Sequence, residues 1–316
     1  MNASLSLDLD NKWSYLKTHG DAGWDAFPSY LQIVVPRVLE ILKARNLSIT
    51  WFIVGQDAAL KQHGEVLRSI ADAGHEIGNH SFHHEPWLHL YSDEKIADEL
   101  KAAEEAIERA TGVRPDGFRG PGFSLSRGVL RVLAARGYRY DASTFPTYLG
   151  PLARAYYFMT ANLTAEERRE RNKLFGTIAE GNRPLKPYRW QDTQLVEVPV
   201  TTMPLFKIPI HLSYLLYLAR FSKLTARTYY RTALWMCRRS GTEPSILLHP
   251  LDFLGGDDDR DLSFFPAMDR PAAWKLDFAC EFLDALKASF TVLPMGAYVK
   301  TLELRKLPVR QPRFPS

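Results

Sequence analysis

Short apolar runs alternate with segments of helical periodicity along most of the chain. The runs predict strands at SLSLDL (4–9), ITWFIVG (49–55), HEIGNH (75–80), DGFRG (116–120), YRYDAS (138–143), LVEVPVT (195–201), SILLHP (245–250) and FTVLP (290–294). The segments between them predict helices near 35–46, 58–74, 92–112, 126–136 and 271–288. Repeated βα units predict an α/β protein with a parallel sheet, and about seven units favour a barrel over an open sheet.

Helix-capping residues and two long insertions add detail to the predicted fold. Ser92, followed by acidic residues, predicts a capped helix start, and Gly112 predicts its end. Two stretches interrupt the βα rhythm, at about 150–190 and 203–240. Because both fall between late strands, we expect them to be helical insertions into a single domain that covers residues 1–316.

Composition restricts the class of protein. With 46% hydrophobic and 24% charged residues, the chain is typical of a soluble globular protein, and two cysteines exclude a disulfide scaffold or a cysteine-rich zinc site. A net charge of +4, without a phosphate loop or a basic segment interleaved with aromatic residues, gives no support to a nucleic-acid partner. The N-terminal segment MNASLSLDLDNKW resembles no secretion signal, so we expect a cytoplasmic protein.

Histidines are concentrated in one short segment, GHEIGNHSFHHEP (74–86), which contains four of the nine in the chain. His80 and His84 are four residues apart and would share one face if the chain were helical from Ser81 onward. That spacing fits metal binding. It fits equally a polar loop, or histidines that cap a helix, so the segment alone leaves the choice open.

Polar side chains also stand where the predicted strands end. In parallel barrels the carboxyl ends of the strands open onto one face, where catalytic groups gather. Any one of these residues could be a cap or a turn former, but six at the same end of the sheet predict a shared site. They are Asp8, Asp10, His80, Arg119, Asp141 and His249.

These residues lie in motifs that resemble the polysaccharide deacetylases of the NodB-like type, also called carbohydrate esterase family four. The matching segments, in order, are SLDLDN, TWFIVG, HEIGNHSFHH, FRGPGF, YRYDAS and LLHPLDF. The resemblance spans residue 4 to about residue 255, with 150–190 and 203–240 as insertions. It implies a distorted (β/α) barrel of about seven parallel strands and hydrolysis of acyl groups on sugars.

The resemblance also implies a metal centre. Asp10, His80 and His84 would be its ligands, and their donor atoms suit zinc, with cobalt, nickel or manganese as alternatives. Asp8 would be the general base. Many family members have adjacent aspartates in this motif, whereas Leu9 separates them here; residues two apart in a strand still point to the same face.

The remaining motif residues would assist the reaction. An amine cannot leave as an anion, so a general acid is needed, and His249 is the candidate. By resemblance, Asp141 would orient His249, and Arg119 would keep Asp8 ionised by pairing with it. Asp252 has two interpretations, an accessory to His249 or a cap for the next turn.

Other residues receive structural or substrate-binding expectations. The candidate substrate contacts are Trp13, Tyr15, Trp24, Pro121 and Gly122. The histidines outside the motifs are expected to be structural or surface residues: His19, His63, His75, His83, His89 and His211.

The substrate is predicted only by class. We expect an N-acyl group, acetyl or formyl, on a sugar that is linked to a lipid carrier or a nucleotide. The segment 203–240 has seven basic and no acidic residues among apolar runs that are too short to cross a bilayer. It fits either contact with an anionic membrane or lipid carrier at the inner face of the membrane, or a helix pair packed on the barrel. Hydrolysis of a non-sugar linear or cyclic amide, and a non-catalytic carbohydrate-binding role, are the alternative functions.

Overall fold

In the computed structural model, which describes residues 1–161, 163–164, 168, 178–312 and 314, one curled sheet organises the chain. Its strands are β1 Asn2–Leu9, β2 Thr50–Ile53, β3 Glu76–Asn79, β4 Gly117–Phe118, β5 Tyr140–Asp141, β6 Tyr188–Trp190, β7 Val196–Glu197, β8 Ser245–Leu248, β9 Thr291–Leu293 and β10 Val309–Arg310. The helices are α1 Lys12–His19, α2 Leu31–Ala44, α3 Gly55–Ala59, α4 Gly64–Asp72, α5 Asp93–Thr111, α6 Arg127–Ala135, α7 Gly150–Thr160, α8 Leu212–Ala219, α9 Lys223–Arg239, α10 Ala272–Ser289 and α11 Met295–Glu303.

The strand order is β10-β6-β7-β5-β4-β3-β2-β1-β8, and β9 pairs with the start of β1. Every pairing is parallel except β6 with β7, which is antiparallel. The prediction of a mostly parallel α/β sheet curled into a distorted barrel is therefore confirmed. β6 and β10 are additional to the predicted strands, and β6 lies at the end of the first insertion.

An irregular segment after β7 links the two sides of the curled sheet. The amide of Val198 donates to the carbonyl of Asp141 at 2.9 Å, and the amide of Thr201 donates to the carbonyl of Ser245 at 2.9 Å. Residues 198–201 therefore connect β5 to the beginning of β8. This connection brings the carboxyl ends of β1, β5 and β8 toward one mouth.

The predicted helix ends agree with the structure at α5. The Ser92 side chain accepts a hydrogen bond from the Lys95 amide, and Gly112 ends the helix at a φ of 78°. The predicted helix over 58–74 is instead divided into α3, a 3-10 turn at Lys61–His63, and α4. The charged centre of the first insertion, TAEERRERNKLFG, lies largely outside the described residues.

The second insertion, 203–240, is a helix pair that packs on the barrel. Apolar side chains of α8 and α9 belong to the main hydrophobic core, among them Leu215, Leu216 and Leu234. Basic residues of the insertion meet acidic residues elsewhere in the chain: Arg227 pairs with Glu281 at 2.6 Å, and Arg220 pairs with Asp269 at 3.0 Å. This geometry agrees with the packing interpretation. Among the described helices, none has the length and hydropathy of a transmembrane segment.

A glycine in a central strand of the sheet leaves space for an aromatic ring. Gly78 in β3 lies opposite Phe52 in β2, and a Cβ atom added at Gly78 would lie 2.5 Å from the Phe52 ring. That ring in turn lies 4.5 Å below the guanidinium of Arg119. Because Gly78 has no side chain, the Phe52 ring can lie against its backbone, and the Arg119 guanidinium packs on the other side of that ring.

Gly78→Ala is expected to destabilise the fold by about 1–3 kcal/mol, because the added methyl group overpacks a closed interior. Gly64→Ala is the matched control, since Gly64 has a helical φ of −55° and open space around its Cβ position. The control should be neutral or stabilising by up to about 1 kcal/mol. Urea unfolding of both variants measures the difference, and equal stabilities would contradict the packing argument.

Candidate active site

Polar side chains at the carboxyl ends of the strands lie together at one end of the curled sheet. Asp8 is in β1 and Asp10 follows its end, His80 follows β3, and Arg119 follows β4. His249 follows β8, whose Leu248 pairs with Leu7 of β1. Strand register, rather than sequence proximity, thus brings these residues together.

Three of these side chains converge closely. The Nε2 atoms of His80 and His84 lie 3.2 Å and 2.9 Å from the same oxygen, Oδ1 of Asp10. One ligand atom from each residue lies within 4.8 Å of the others, and all three residues are buried. In the described part of the chain, this is the group of His, Cys, Asp and Glu residues that could hold a metal ion.

His84 reaches this cluster through a loop and not through a helix that begins at Ser81, so the helical spacing considered for His80 and His84 does not apply. Ser81 and His84 have positive φ values of 62° and 52°, which a helix does not contain. The Asn79 side chain accepts from the Ser81 amide at 2.8 Å, and Glu99 on α5 accepts from the next two amides. These contacts fold the loop back so that the histidines converge.

The donor set fits a divalent metal ion. The Nδ1 atom of His80 lies 2.6 Å from the carbonyl oxygen of Arg119. This contact fixes the tautomer and leaves Nε2 as the metal-binding atom, as is common for histidine ligands. Two imidazole nitrogens and one carboxylate oxygen match the ligands of catalytic zinc sites with open positions. The residues therefore suit a divalent metal ion.

The charges of the cluster shift one another's titration. Burial would raise the pKa of Asp10, but His84 and His80 outweigh burial and hold that pKa well below its usual value. Burial would lower the pKa of His80, but Asp8, Asp10 and the Arg119 carbonyl outweigh it and raise that pKa. Without a metal, the cluster therefore favours a proton on His80 beside an ionised Asp10.

Asp8 lies beside the three candidate ligands and pairs with Arg119. Nη1 of Arg119 donates to Asp8 Oδ1 at 2.7 Å and to Ser6 Oγ at 2.9 Å, while its Nε donates to the carbonyl of Ala142 at 3.0 Å. The second oxygen of Asp8 lies 4.0 Å from Nε2 of His80. The spacing of Asp8 and Asp10 thus places both carboxylates at the site.

The structure places Asp141 against a different partner from the predicted one. Asp141 is in register with Glu197 on the neighbouring β7, and both side chains are buried. Ser143 donates to Asp141, while Thr144 and Trp190 donate to Glu197. Burial and Asp141 raise the pKa of Glu197 well above its usual value, so the carboxylate pair holds a proton. Glu197 is the acidic residue within the otherwise apolar strand segment LVEVPV, and that position is the sequence feature that could have indicated it.

His249 has its own partners. Its Nδ1 lies 3.0 Å from the hydroxyl of Ser213 on α8, and its amide donates to Asp252 at 2.8 Å. Asp252 thereby caps the following turn, in agreement with one of its two interpretations. Among the described residues, the ring of His249 has no hydrogen bond with Asp141. The structure therefore does not bring together the pair that the resemblance implied.

Among the expected sugar contacts, Trp13 requires a correction. Only 1% of Trp13 is exposed, and its indole N–H donates to Asp57 at 3.0 Å, so the ring cannot stack on a sugar. Tyr15 reaches the metal cluster, with its hydroxyl 3.3 Å from Asp10 Oδ2. Trp24 is half-buried beside the Lys17 ammonium, 5.1 Å from its ring.

The loop after Arg119 is a tight turn held by hydrogen bonds within its own backbone. Pro121 is buried, so its ring offers no surface to a substrate, and its carbonyl accepts from the Ser124 amide. This is a second correction to the expected contacts. Gly122 adopts a positive φ of 57° and packs near Pro86.

The other histidines mostly have structural partners, as expected. These partners are Asp21 for His19, the Asp57 carbonyl for His63, the Ile49 amide for His75, Glu99 for His83 and Ser124 for His89. His211 differs, because it is half-buried with its ring centroid 6.1 Å from that of His249.

Comparison with known proteins finds similarity to polysaccharide deacetylases over part of the chain. Residues 21–140 match the family model for polysaccharide deacetylase. The chain is 28% identical to a peptidoglycan deacetylase of Helicobacter pylori over 169 residues, which are 53% of each protein. It is 34% identical over 105 residues, a third of this chain, to the peptidoglycan-N-acetylmuramic acid deacetylase PdaA of Bacillus subtilis. The matches thus span about half of the first relative and 39% of the second.

A solved structure agrees in fold across the whole chain. It is a candidate polysaccharide deacetylase from Mycobacterium smegmatis, with a TM-score of 0.61 at 22% identity, and the alignment covers 100% of this chain and 94% of that one. At this identity the likeness concerns the fold alone. With the family match on residues 21–140, the resemblance to the polysaccharide deacetylases that the motifs predict is confirmed.

Proposed function

We propose that the protein is a metal-dependent hydrolase that removes an N-acyl group from a sugar. The observation that carries the proposal is the convergence of Asp10, His80 and His84 beside an arginine-paired Asp8. The deacetylase names of the Helicobacter and Bacillus relatives support the same reaction class. A non-catalytic relative would lack a base or an acid, whereas this site has a candidate for each.

Asp10, His80 and His84 would hold the ion, with zinc as the first candidate and cobalt, nickel or manganese as alternatives. When bound, a divalent ion there supplies Lewis-acid polarisation of the acyl carbonyl and makes water more acidic. The hydrogen bond from His80 to the Arg119 carbonyl keeps one imidazole fixed for this purpose.

Asp8 acts as the general base in this proposal. Arg119 holds Oδ1 of Asp8, and Oδ2 lies on the side of the candidate metal ligands, where it takes a proton from the attacking water. His249 supplies a proton from Nε2 to the nitrogen of the breaking C–N bond, so that the product leaves as a neutral amine. The same residues would serve a non-sugar amide, which the substrate tests must distinguish.

The form of the sugar is a finer proposal. We propose that the sugar is presented on a lipid carrier, because apolar side chains of the second insertion are exposed outside its packed face. Leu205, Phe221 and Leu224 are 84%, 75% and 72% exposed. Aromatic and aliphatic side chains of this kind insert into the boundary of a bilayer. A nucleotide-linked sugar is the alternative and has no need of this surface.

The first prediction concerns metal binding. The protein should bind about one divalent ion, and His80→Ala or His84→Ala should abolish retention while leaving the fold intact. Affinity should fall from about pH 8 to about pH 5.5, since protons compete for the imidazoles and the pKa of His80 is raised. Zinc titration at several pH values tests this. Full retention by either variant would overturn the ligand set.

A second prediction separates the base from the ligand. Asp8→Asn should keep the metal and lose about 10²–10⁴-fold in kcat, whereas Asp10→Asn should lose the metal itself. Metal analysis and hydrolysis of an N-acetylated sugar oligomer, with a non-sugar amide in parallel, give both values. Equal metal loss in the two variants would mean that the assigned roles are wrong.

A third prediction tests the lipid-linked substrate. Phe221→Asp with Leu224→Asp should weaken sedimentation with anionic vesicles several-fold and leave zinc retention unchanged. Leu304→Asp is the control, because Leu304 is even more exposed, at 97%, but lies just after α11 and outside the insertion. Absence of vesicle binding by the parent protein, with turnover of a soluble nucleotide sugar, would defeat the lipid proposal and leave the deacylase proposal standing.

A further inference from the structure

The second insertion contributes a polar side chain to the site as well as packing. Ser213 is the second residue of α8, and its hydroxyl oxygen lies 3.0 Å from Nδ1 of His249. Its neighbours Leu212, Leu215 and Leu216 are buried in the main core. The packing of α8 therefore fixes the hydroxyl at the back of the candidate general acid.

A buried carboxylate stands next to the same pair. Asp252 is fully buried, and its Oδ2 accepts from the amide of His249 at 2.8 Å. Its other oxygen, Oδ1, is buried without a hydrogen-bond partner among the described residues. Burial raises the pKa of Asp252, while His249 and the Ser213 hydroxyl act in the opposite direction. Ser213 therefore lies within electrostatic reach of both His249 and Asp252.

A hydroxyl beside an imidazole nitrogen can serve either protonation state of the ring. When Nδ1 of His249 is unprotonated, Ser213 can donate to it. When Nδ1 carries a proton, the Ser213 oxygen can accept that proton's hydrogen bond. Rotation about a single bond exchanges these arrangements, so the hydroxyl stabilises the doubly protonated imidazole that a general acid requires.

We propose that Ser213 is a positioning residue for His249, holding its Nδ1 so that Nε2 is left to donate a proton to the leaving amine. This inference rests on the proposed function. In the step, the Nε2–H bond breaks and the proton goes to the amine nitrogen, which takes the electron pair of the C–N bond. Nδ1 of His249 keeps its own proton, which stays in the hydrogen bond to the Ser213 oxygen. The role that resemblance gave to Asp141 is thus filled by a residue of the insertion.

Other charged groups border this arrangement and enter its pH response. Lys275 on α10 is buried, donates to the Leu251 carbonyl and influences Asp252; burial lowers its pKa to about 8. Burial and His249 lower the pKa of His211 to about 3, so His211 is neutral at working pH. Tyr15, which faces both Asp10 and Asp252, has a pKa raised by burial. Asp252 is the acidic group that the His249 amide holds beside this arrangement.

The test compares Ser213→Ala, Ser213→Thr and Asp252→Asn in the zinc-loaded full chain. On an N-acetylated amide substrate, Ser213→Ala should lower kcat about tenfold, the effect of losing one hydrogen bond, with little change in KM. Ser213→Thr retains a hydroxyl and should restore most of the rate. Asp252→Asn retains a capping oxygen but not the charge, and should move the basic limb of the pH profile to lower pH, as should Ser213→Ala.

An activated phenyl ester provides the discriminating control, because a phenolate leaves without a proton. Ser213→Ala should lose amide hydrolysis while sparing the ester, and Ser240→Ala, which removes a hydroxyl at the end of α9, should affect neither. If His249→Ala loses amide turnover but Ser213→Ala keeps the parental rate and pH profile, the inference fails while the proposed function stands. If His249→Ala keeps full amide turnover, the proposed acid itself is wrong.

Discussion

The buried guanidinium of Arg119 is the contact on which the site depends. A charge removed from water must be compensated by partners, and Arg119 has an acidic partner, a hydroxyl, a carbonyl and an aromatic face around it. These groups come from β1, β2 and the segment after β5, and the Arg119 carbonyl also receives His80. One residue therefore holds the candidate base, a candidate metal ligand and groups from β1, β2 and the segment after β5 in a single geometry.

Much of this arrangement could be predicted from the sequence because strand ends obey a general rule. Apolar runs with polar residues at their carboxyl ends predicted a parallel sheet with one active face, and Asp8, Asp10, His80 and His249 lie there. The motifs added the resemblance to the polysaccharide deacetylases. The pairing of Asp8 with Arg119 follows the implied role, since oppositely charged groups at adjacent strand ends meet once the sheet forms.

The failures have a common physical cause, which is that loops and inserted helices are set by tertiary contacts. His84 reaches Asp10 through two left-handed residues and a carboxylate from α5, and local spacing carries no trace of either. Trp13 is an aromatic residue of the kind that stacks on sugars, yet its indole N–H donates a hydrogen bond to Asp57 in the interior. Ser213 lies more than thirty residues from His249 in an apolar segment, so only the packing of α8 reveals their contact.

The central claim is that Asp10, His80 and His84 form one metal centre with Asp8 outside it. Crystals grown with zinc and measured on both sides of the zinc absorption edge test it directly. The account predicts one strong anomalous peak about 2.0–2.2 Å from a carboxylate oxygen of Asp10 and from Nε2 of both histidines. A peak ligated by Asp8 in place of Asp10, or zinc bound elsewhere with this cluster empty, would contradict it.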